Sequence, residues 1–517
     1  MINTCRRAAR APWLAASLAV SLVASTTTVA VAQKPAARGI PADFDATVAR
    51  AMATFKVPGL AVAVVKNDSV IFAKGYGVRR LGAPEPVTPN TLFAVGSTSK
   101  AFTVALLQML AQEGKLSLDD PATKYLPSLQ MYDPYVTREL TVRDLVTHRS
   151  GLPTANAVWY GTPYSREEVL RRVRYRKPTA SFRSLWQYQN EMFLAAGQVV
   201  AAVDGRSWDD AVKARIFAPL GMNGSGTSVR DLPDMPDVAQ PHLEKDGAVR
   251  IIPYRNIDNI APAGSINSSV RDMAQWVRFQ LAKGKWNGAQ LLNVAAFDDA
   301  RRPIMSMPVN PLGDLTPGSQ LHAYGMAWMT YAWNGRVIVE HSGGIDGMTA
   351  EVALVPEENL GLVILANLSA VAPQVLQNYL LDGFFGRPKR DWIGEVAVQF
   401  GKLEAMGKEA EAKAERERAR DSRPTLALSA YAGTYSDSLY GDVVVREANG
   451  GLQLTFLGNR EARLEHWQYD TFRAVWDDVI LDKTMVQFFL NEAGKVDRLR
   501  IGMFAGETGE FARRASP

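Results

Sequence analysis

Strand-like apolar runs lie near both ends of residues 40–386 and are rare in the middle of that segment. The first is a predicted β-hairpin, GLAVAVVKNDSVIFAKGYGV, whose turn-forming centre is Lys66-Asn67-Asp68-Ser69. Three further runs, RVIVEHSGG, MTAEVALVP and LGLVILANL, begin at about residue 337. Between about 120 and 330 the chain predicts helices and long loops. This order predicts an α/β fold in which an antiparallel sheet, with edges from distant sequence, is flanked by helices and joined by an all-helical region.

Two helices are predicted to cover one face of that sheet. The first spans 43–55 and carries Phe44, Val48, Ala51 and Phe55 on one face. The second, PQVLQNYLLDGFF, closes the unit near residue 386.

The composition changes in the segment 402–423, KLEAMGKEAEAKAERERARDSR, which is charged and rich in alanine. The pairs Glu404/Lys408 and Glu409/Lys413 have the i,i+4 spacing that stabilises an exposed helix. We therefore predict a solvated helical linker. A basic binding surface is the alternative, and the mixed signs of the charges argue against it.

From Tyr431 onward, short alternating strands predict a small all-β domain. The dipeptides Asn449-Gly450 and Ala493-Gly494 are typical of the turns between such strands. The predicted organisation is a signal peptide at 1–32, a main domain at 33–390, a linker at 391–424 and the all-β domain at 425–517.

The N-terminus has the pattern of a secretory signal peptide. Arg6, Arg7 and Arg10 precede the apolar run Trp13–Val23, and Ala30-Val31-Ala32 is a small-residue cleavage site. A retained anchor is the alternative, although the run is short for a membrane span. The expected location is periplasmic or secreted, with no membrane span after cleavage.

Cleavage changes the charge and the thiol content of the chain. Residues 1–32 contain three arginines and no acidic residue, so 55 basic residues remain against 53 acidic ones. This balance and the lack of a basic cluster with interleaved aromatics argue against a nucleic-acid partner. Cys5, the only cysteine, leaves with the signal peptide, so neither disulfides nor thiol chemistry are expected.

Ser97 and Lys100 are three residues apart at the start of an apolar helical pattern, in VGSTSKAFT. Positions i and i+3 share a helix face, so Lys100 can place its amine beside the Ser97 hydroxyl and act as its base. An amine does this only when unprotonated, which requires burial or nearby positive charge. The alternative is that Ser97 caps the helix and Lys100 lies on the surface.

A second motif, Tyr188-x-Asn190, also leads into an apolar helix. A phenol near a lysine can shuttle a proton, and the amide two residues later can orient a substrate carbonyl or the lysine. Tyr254-x-Asn256 has the same spacing, but it lies in a predicted loop. We therefore favour Tyr188.

The third motif is His341-Ser342-Gly343, which runs into Gly344 on a predicted strand. A strand lined by glycines can bring a backbone N–H close to a reacting carbonyl, so the N–H groups of Gly344 and Ser97 would form an oxyanion hole. The similar segment Lys245-Asp246-Gly247 lies in a polar loop with no predicted strand after it.

The three motifs in this order resemble those of the serine β-lactamase and penicillin-binding-protein superfamily. The resemblance covers about residues 40–386 and is strongest to the class C-type branch, which includes DD-peptidases, D-aminopeptidases, esterases and class C β-lactamases. The segments PGLAVAVV, LVTHRSGLP and APAGSINSSVRDMAQW support it. The C-terminal segment resembles a lipocalin-like β-barrel appended to such hydrolases.

The resemblance implies a role for each motif residue. Ser97 would be the acylated nucleophile, Lys100 its base and Tyr188 the general acid/base. Substrate binding would fall to Asn190, His341, Gly343 and Gly344. No cofactor is expected.

His341 stands where β-lactamases usually carry lysine, which weakens a β-lactamase assignment. We expect His341 to be mostly neutral, because its reference pKa is about 6.5 and Glu340 should point to the opposite face of the strand. The leading hypothesis is an exported peptidase or amidase acting on small peptides, including those with D-residues. A carboxylesterase, a class C-like β-lactamase and a non-enzymatic binder of peptide or peptidoglycan ligands are the alternatives, and homo-oligomerisation is left open.

Other residues also have side chains that could carry chemistry. The five histidines show no metal-ligand spacing, so no metal site is predicted. His148 could act as a catalytic base, but we favour a structural role for a loop histidine beside a helix end. Trp328, Tyr331 and Trp333 are interpreted equally well as cleft or core residues.

Overall fold

The structure is a computed structural model that describes residues 38–308, 315–457, 459–503 and 506–515. The predicted signal peptide, residues 1–32, lies outside the described residues. The helices are α1 (Phe44–Thr54), α2 (Lys100–Gln112), α3 (Pro134–Glu139), α4 (Val142–Leu145), α5 (Arg166–Val173), α6 (Asn190–Asp204), α7 (Trp208–Val212), α8 (Ala218–Leu220), α9 (Ala261–Gly264), α10 (Val270–Leu281), α11 (Val294–Arg301), α12 (Ala372–Phe385) and α13 (Trp392–Glu417).

The strands form one large sheet, a barrel and three short pairs. The strands before the barrel are β1 (Gly59–Lys66), β2 (Ser69–Gly77), β3 (Phe93–Ala94), β4 (His242–Lys245), β5 (Ala248–Ile251), β6 (Asn267–Ser268), β7 (Lys285–Trp286), β8 (Ala289–Gln290), β9 (Met305–Ser306), β10 (Gln320–Tyr324), β11 (Met329–Trp333), β12 (Arg336–Ile345), β13 (Met348–Val355) and β14 (Leu360–Ala366). The barrel strands are β15 (Gly433–Asp437), β16 (Gly441–Ala448), β17 (Gly451–Phe456), β18 (Arg460–Gln468), β19 (Thr471–Trp476), β20 (Thr484–Leu490), β21 (Val496–Gly502) and β22 (Thr508–Arg513).

The large sheet has the order β2-β1-β14-β13-β12-β11-β10-β9, with every neighbouring pair antiparallel. The predicted hairpin β1–β2 turns through Asn67 and Asp68, both with positive φ. Strand β1 pairs with β14, about 300 residues later, with Leu60 opposite Ala366. The sequence-based prediction of a sheet assembled from both ends of the domain is confirmed.

Both faces of the central strands are covered, and β1 shows why its sequence is apolar throughout. Leu60, Val62 and Val64 face the core beneath α1 and α12, whereas Ala61 and Ala63 face the core shared with α2, α6 and α10. Successive side chains of a strand point to opposite faces, so a strand covered on both sides needs apolar residues at every position. The predicted cover by the first and last helices of the domain is confirmed.

Helix α13 differs in length from the predicted charged segment. It begins ten residues earlier, and its first turn buries Trp392, Ile393 and Val396 against the core of the main domain. The predicted pair Glu404–Lys408 is present at 2.6 Å. Glu409 instead pairs with Arg416 at 2.6 Å, two turns further along the same face.

The C-terminal strands close into an eight-stranded antiparallel barrel in which β15 pairs with β22. Alternating side chains such as Val443, Val445, Leu452 and Leu454 fill its interior, as small barrels require. The predicted β-barrel is confirmed. Within the described parts of the chain, no helix is long and apolar enough to cross a membrane.

Candidate active site

Ser97 lies in a 3-10 turn, Gly96–Ser99, between β3 and the buried helix α2. Its neighbours in the turn are buried, whereas Ser97 itself is partly exposed. The residue that precedes α2 is Ser99, so the alternative role of Ser97 as the helix cap is wrong. The turn thus presents one hydroxyl to the outside at the start of a helix that is apolar on all sides.

Strand β12 lies directly against this turn. A Cβ atom on Gly343 would lie 2.0 Å from the carbonyl oxygen of Val95 and 3.0 Å from the backbone nitrogen of Ser97. A Cβ on Gly96, whose φ is +53°, would lie 2.7 Å from the nitrogen of Gly344. Because these glycines have no side chains, the backbone of β12 lies close to the backbone of the turn. The backbone nitrogens of Ser97 and Gly344 both lie at this point of close approach.

The Lys100 amine is buried and has three close oxygen partners. Its Nζ lies 2.9 Å from Ser97 Oγ, 2.8 Å from Asn190 Oδ1 and 2.7 Å from the carbonyl oxygen of Ala263. Burial holds the pKa of Lys100 well below its usual range, and Glu191 acts in the opposite direction. A neutral amine donates twice, to Asn190 and Ala263, and its lone pair then accepts a hydrogen bond from the Ser97 hydroxyl.

Tyr188 packs on the lysine. Nζ of Lys100 lies 4.7 Å from the centre of the Tyr188 ring. Burial raises the pKa of Tyr188, while a hydrogen bond with Ser97 lowers it to a smaller extent. The phenol therefore carries its proton at neutral pH, next to both Ser97 and Lys100. Tyr254 lies elsewhere, and its hydroxyl donates to the carbonyl oxygen of Ala239.

Asn190 is the first residue of α6 and links the lysine to a loop. Its Oδ1 accepts from Lys100, and its Nδ2 donates to Asn156 Oδ1 at 3.0 Å. Asn156 also accepts from Trp159 Nε1 at 3.1 Å, so its amide is fixed from two sides. The contacts with Lys100 and Asn156 therefore fix the orientation of the Asn190 amide.

His341 is buried beside the same cluster. Its Nδ1 lies 2.6 Å from the carbonyl oxygen of Ser342, and its Nε2 lies 3.1 Å from the Tyr324 hydroxyl. A carbonyl only accepts, so the ring proton lies on Nδ1, and Nε2 accepts from Tyr324. Burial is the main cause that lowers the pKa of His341 to about 3, and Lys100 in its protonated form acts in the same direction. His341 is therefore neutral, in the direction expected from the sequence.

The acidic neighbours of His341 do not face its ring. Glu340 points to the other side of β12, where it accepts from Tyr331 at 2.9 Å and from Gln377 at 2.6 Å. Asp346 accepts from the Tyr160 hydroxyl and is paired with Arg255 at 2.6 Å. Both carboxylates thus bond to groups other than the His341 ring.

Comparison with known proteins assigns the chain to a family. The family model described as Beta-lactamase matches residues 44–382, which is more than half of the chain. The chain belongs to the β-lactamase family. A second model, a domain of unknown function (DUF3471), matches residues 417–513, which include the barrel.

Among curated relatives, the chain is similar to unguisins hydrolase ungD of Aspergillus violaceofuscus. The two are 28% identical over 503 residues, which cover 89% of this chain and 87% of the relative. It is also 24% identical to protein flp of Staphylococcus aureus strain N315, over 66% of each chain. The first match includes the C-terminal part as well as the β-lactamase-family domain.

Solved structures of the family share the fold. The octameric penicillin-binding protein homologue from Pyrococcus abyssi aligns with a TM-score of 0.62 and 23% identity, over 90% of this chain and 99% of that one. The class C β-lactamase from Rhodobacter sphaeroides aligns with a TM-score of 0.53 and 25% identity, over 66% of this chain and 98% of that one.

Two residues near the site of this β-lactamase-family protein were not singled out for it by the sequence. The His148 ring lies 4.2 Å from the ring of Tyr188, and its Nδ1 accepts from the backbone of Gln189 at 2.9 Å. Asn156 bonds to Asn190. His148 has a φ of 55°, which is uncommon outside glycine. No sequence motif indicates this backbone conformation.

Other sequence-based expectations are settled by position. Trp328, Tyr331 and Trp333 are core residues, each less than 5% exposed. Lys245-Asp246-Gly247 contains the turn of the β4–β5 hairpin, so the expectation that no strand follows it is wrong. No cluster of three or more histidine, cysteine or acidic side chains able to hold a metal ion occurs among the described residues.

Proposed function

We propose that this β-lactamase-family hydrolase is an exported serine peptidase or amidase that forms an acyl-enzyme on Ser97. The observation that carries the proposal is the buried Lys100 amine, 2.9 Å from the Ser97 hydroxyl, with a pKa held well below its usual range. A serine needs a base within hydrogen-bond reach, and a lysine needs desolvation to be that base. The N-terminal sequence supports export to the periplasm or outside the cell.

The reaction follows from the contacts of the site. Lys100 accepts the Ser97 proton as Oγ attacks the substrate carbonyl, and the N–H groups of Ser97 and Gly344 stabilise the oxyanion. As the C–N bond breaks, Tyr188 gives its proton to the leaving amine and recovers one from the Lys100 ammonium. Water then attacks the acyl group and its proton passes to the neutral Lys100 amine. Lys100 returns this proton to Ser97 Oγ as the ester C–O bond breaks, which releases the acid and restores the Ser97 hydroxyl.

Small peptides, including those with D-residues, are the proposed substrates, and His341 supports this choice over β-lactams. A lysine at that position would offer a permanent positive charge to a substrate carboxylate. The neutral and buried His341 offers little Coulombic attraction to one. The relative named unguisins hydrolase supports hydrolysis by a chain with this two-domain arrangement.

Acylation is tested with a fluorophosphonate probe and a substrate panel. The panel contains aminoacyl amides, acyl-D-Ala-D-Ala peptides and short acyl esters. The probe should label the mature protein, and Ser97→Ala should abolish both labelling and the turnover of every panel substrate that the unmodified protein hydrolyses. Loss of one member of a nucleophile–base set costs several orders of magnitude in kcat. Ser117→Ala, at an exposed serine of the same domain, is the matched control. Labelling that persists in Ser97→Ala would reject the nucleophile.

β-Lactam hydrolysis is the second candidate, because a class C β-lactamase is among the structural neighbours. A chromogenic cephalosporin in the same panel separates the two. We expect poor cephalosporin turnover, and His341→Lys should shift preference toward carboxylate-bearing substrates. If the unmodified protein hydrolyses the cephalosporin as fast as its best amide or ester, at a rate flat between pH 6 and pH 8, the β-lactamase assignment replaces ours.

A further inference from the structure

A carboxylate from the barrel reaches into the main domain next to the candidate active site. Glu507 lies just before β22, and its side chain leaves the barrel to meet the loop at 156–157. The backbone N–H of Ala157 donates to both carboxylate oxygens, at 3.1 and 3.3 Å, and the N–H of Asn156 donates to one of them. No motif connects these residues, which lie 350 positions apart.

From this loop, hydrogen bonds run without a break to the proposed nucleophile. Asn156 Oδ1 accepts from Asn190 at 3.0 Å, and Asn190 Oδ1 accepts from Lys100 at 2.8 Å. Lys100 in turn lies 2.9 Å from Ser97 Oγ. The conformation of the loop therefore sets where the Asn190 amide points, and that amide is one of three groups that hold the lysine.

The loop depends on Glu507 for two of its backbone hydrogen bonds. Ala157 is buried, so its N–H would have no solvent partner if the carboxylate were removed. An unpaired buried N–H is costly, and the loop would rearrange to satisfy it. Such a rearrangement would displace the Asn156 side chain, and through Asn190 it would weaken the hydrogen bond that orients Lys100.

We propose that Glu507 is a positioning residue of the active site, through which the barrel fixes Asn156 and thereby the Asn190–Lys100 contact. The proposal rests on the acyl-enzyme function proposed above for Ser97. In this role Glu507 does not contact the substrate, and the barrel affects the reaction only through the position of Lys100.

The surroundings of Glu507 make this role depend on pH. Arg176 and Glu191, which pair with each other at 3.1 Å, face it from the main domain, and the Tyr440 hydroxyl lies 3.5 Å away within the barrel. Burial raises the pKa of Glu507 to about 7, against the lowering by the Asn156 hydrogen bond and by Arg176. The carboxylate is thus ionised above about pH 7, where it accepts most strongly from the two N–H groups.

The test is the rate constant of fluorophosphonate labelling of the full mature chain between pH 5.5 and pH 8.5, for the unmodified protein and Glu507→Gln. The Gln amide accepts without charge, so labelling should slow on the order of tenfold at pH 8. At pH 5.5 the native carboxyl is neutral too, and the rates should converge. The ratio of the rates cancels the ionisation of Lys100, which both proteins share. Glu510→Gln, at an exposed barrel carboxylate paired with Arg500, should give a ratio near one throughout.

A double-mutant cycle tests the route through the loop. If Glu507 acts through the Asn156 side chain, Glu507→Gln should have little further effect in an Asn156→Ala background. Additive effects would overturn the route.

Melting temperatures separate positioning from folding. The folded pKa of Glu507 is above its ordinary value, so ionisation weakens the folded state as pH rises from about 4.5 to 7. Glu507→Gln should then keep its melting temperature at pH 8 while labelling slows. A rate ratio independent of pH, or slower labelling that merely follows a lower melting temperature, would overturn the proposal. Absence of labelling in the unmodified protein would instead reject the acyl-enzyme function itself.

Discussion

Lys100 is the residue on which the proposed chemistry depends, because a protonated amine could not take the Ser97 proton. Its amine is buried, and its partners at Asn190 and Ala263 are neutral oxygens. Desolvation without a paired carboxylate in contact favours the neutral amine. Glu191 acts in the opposite direction on the pKa of Lys100, but it is itself paired with Arg176. At the scale of single residues, the site is therefore arranged for a neutral base.

Tyr188→Phe tests the second proton carrier. The phenol is protonated and lies beside both Ser97 and Lys100, so its removal should slow amide hydrolysis by about 10²- to 10⁴-fold. Esters with good leaving groups need less proton donation and should lose less. Tyr254→Phe is the matched control, because that tyrosine has the same Tyr-x-Asn spacing but donates to the backbone of Ala239. An equal loss on amides and esters would contradict proton donation to the leaving group.

The sequence predicted some of these contacts and missed others for a physical reason. Ser97 and Lys100 are neighbours on one turn of the chain, so their spacing alone predicts their contact at 2.9 Å. Asn156 and Glu507 meet only because two domains dock, and neither belongs to a local pattern. The neutrality of His341 followed from its reference pKa, but its burial against Tyr324 did not.

At the scale of elements, the site depends on the contact between β12 and the turn that carries Ser97. Hydrophobic patterns predicted both the strand and the helix α2, and the glycines of the third motif predicted that the strand approaches Ser97. Their close approach is possible because Gly343 has no side chain at the point where it meets Val95.

Gly343→Ala should separate these two elements. The added methyl would lie 2.0 Å from the Val95 carbonyl oxygen, and this oxygen cannot easily move away because it belongs to the backbone. We expect a melting temperature lower by several degrees and a large loss of fluorophosphonate labelling. Gly344→Ala is the control for stability, because its added methyl would meet no atom within 4 Å. Unchanged melting and labelling in Gly343→Ala would show that the strand and the turn do not need this approach.

At the scale of the whole molecule, the barrel is docked on the main domain. Leu439 of the barrel belongs to the main hydrophobic core, and Arg172 donates to the carbonyl oxygens of Ser438 and Leu439 at 3.0 and 3.1 Å. Arg255 joins Asp346, next to the third motif, to Asp478 of the barrel. The sequence predicted two domains and a linker between them, but the docking surface depends on contacts that no single segment contains.

A chain ending at Glu417 tests what the barrel contributes. It keeps α13, whose Trp392 ring lies 5.9 Å from Trp333, and it removes Glu507 with the whole barrel. If the barrel acts on the site mainly through Glu507, the shortened chain should label no faster than Glu507→Gln at pH 8, because it lacks any acceptor for the two N–H groups, and it should melt at a lower temperature. A chain ending at Arg390 should be less stable still, because it also loses the buried first turn of α13. Labelling of the folded Glu417 chain at the full rate would show that the barrel does not position the site, whereas complete loss would show that it contributes more than one carboxylate.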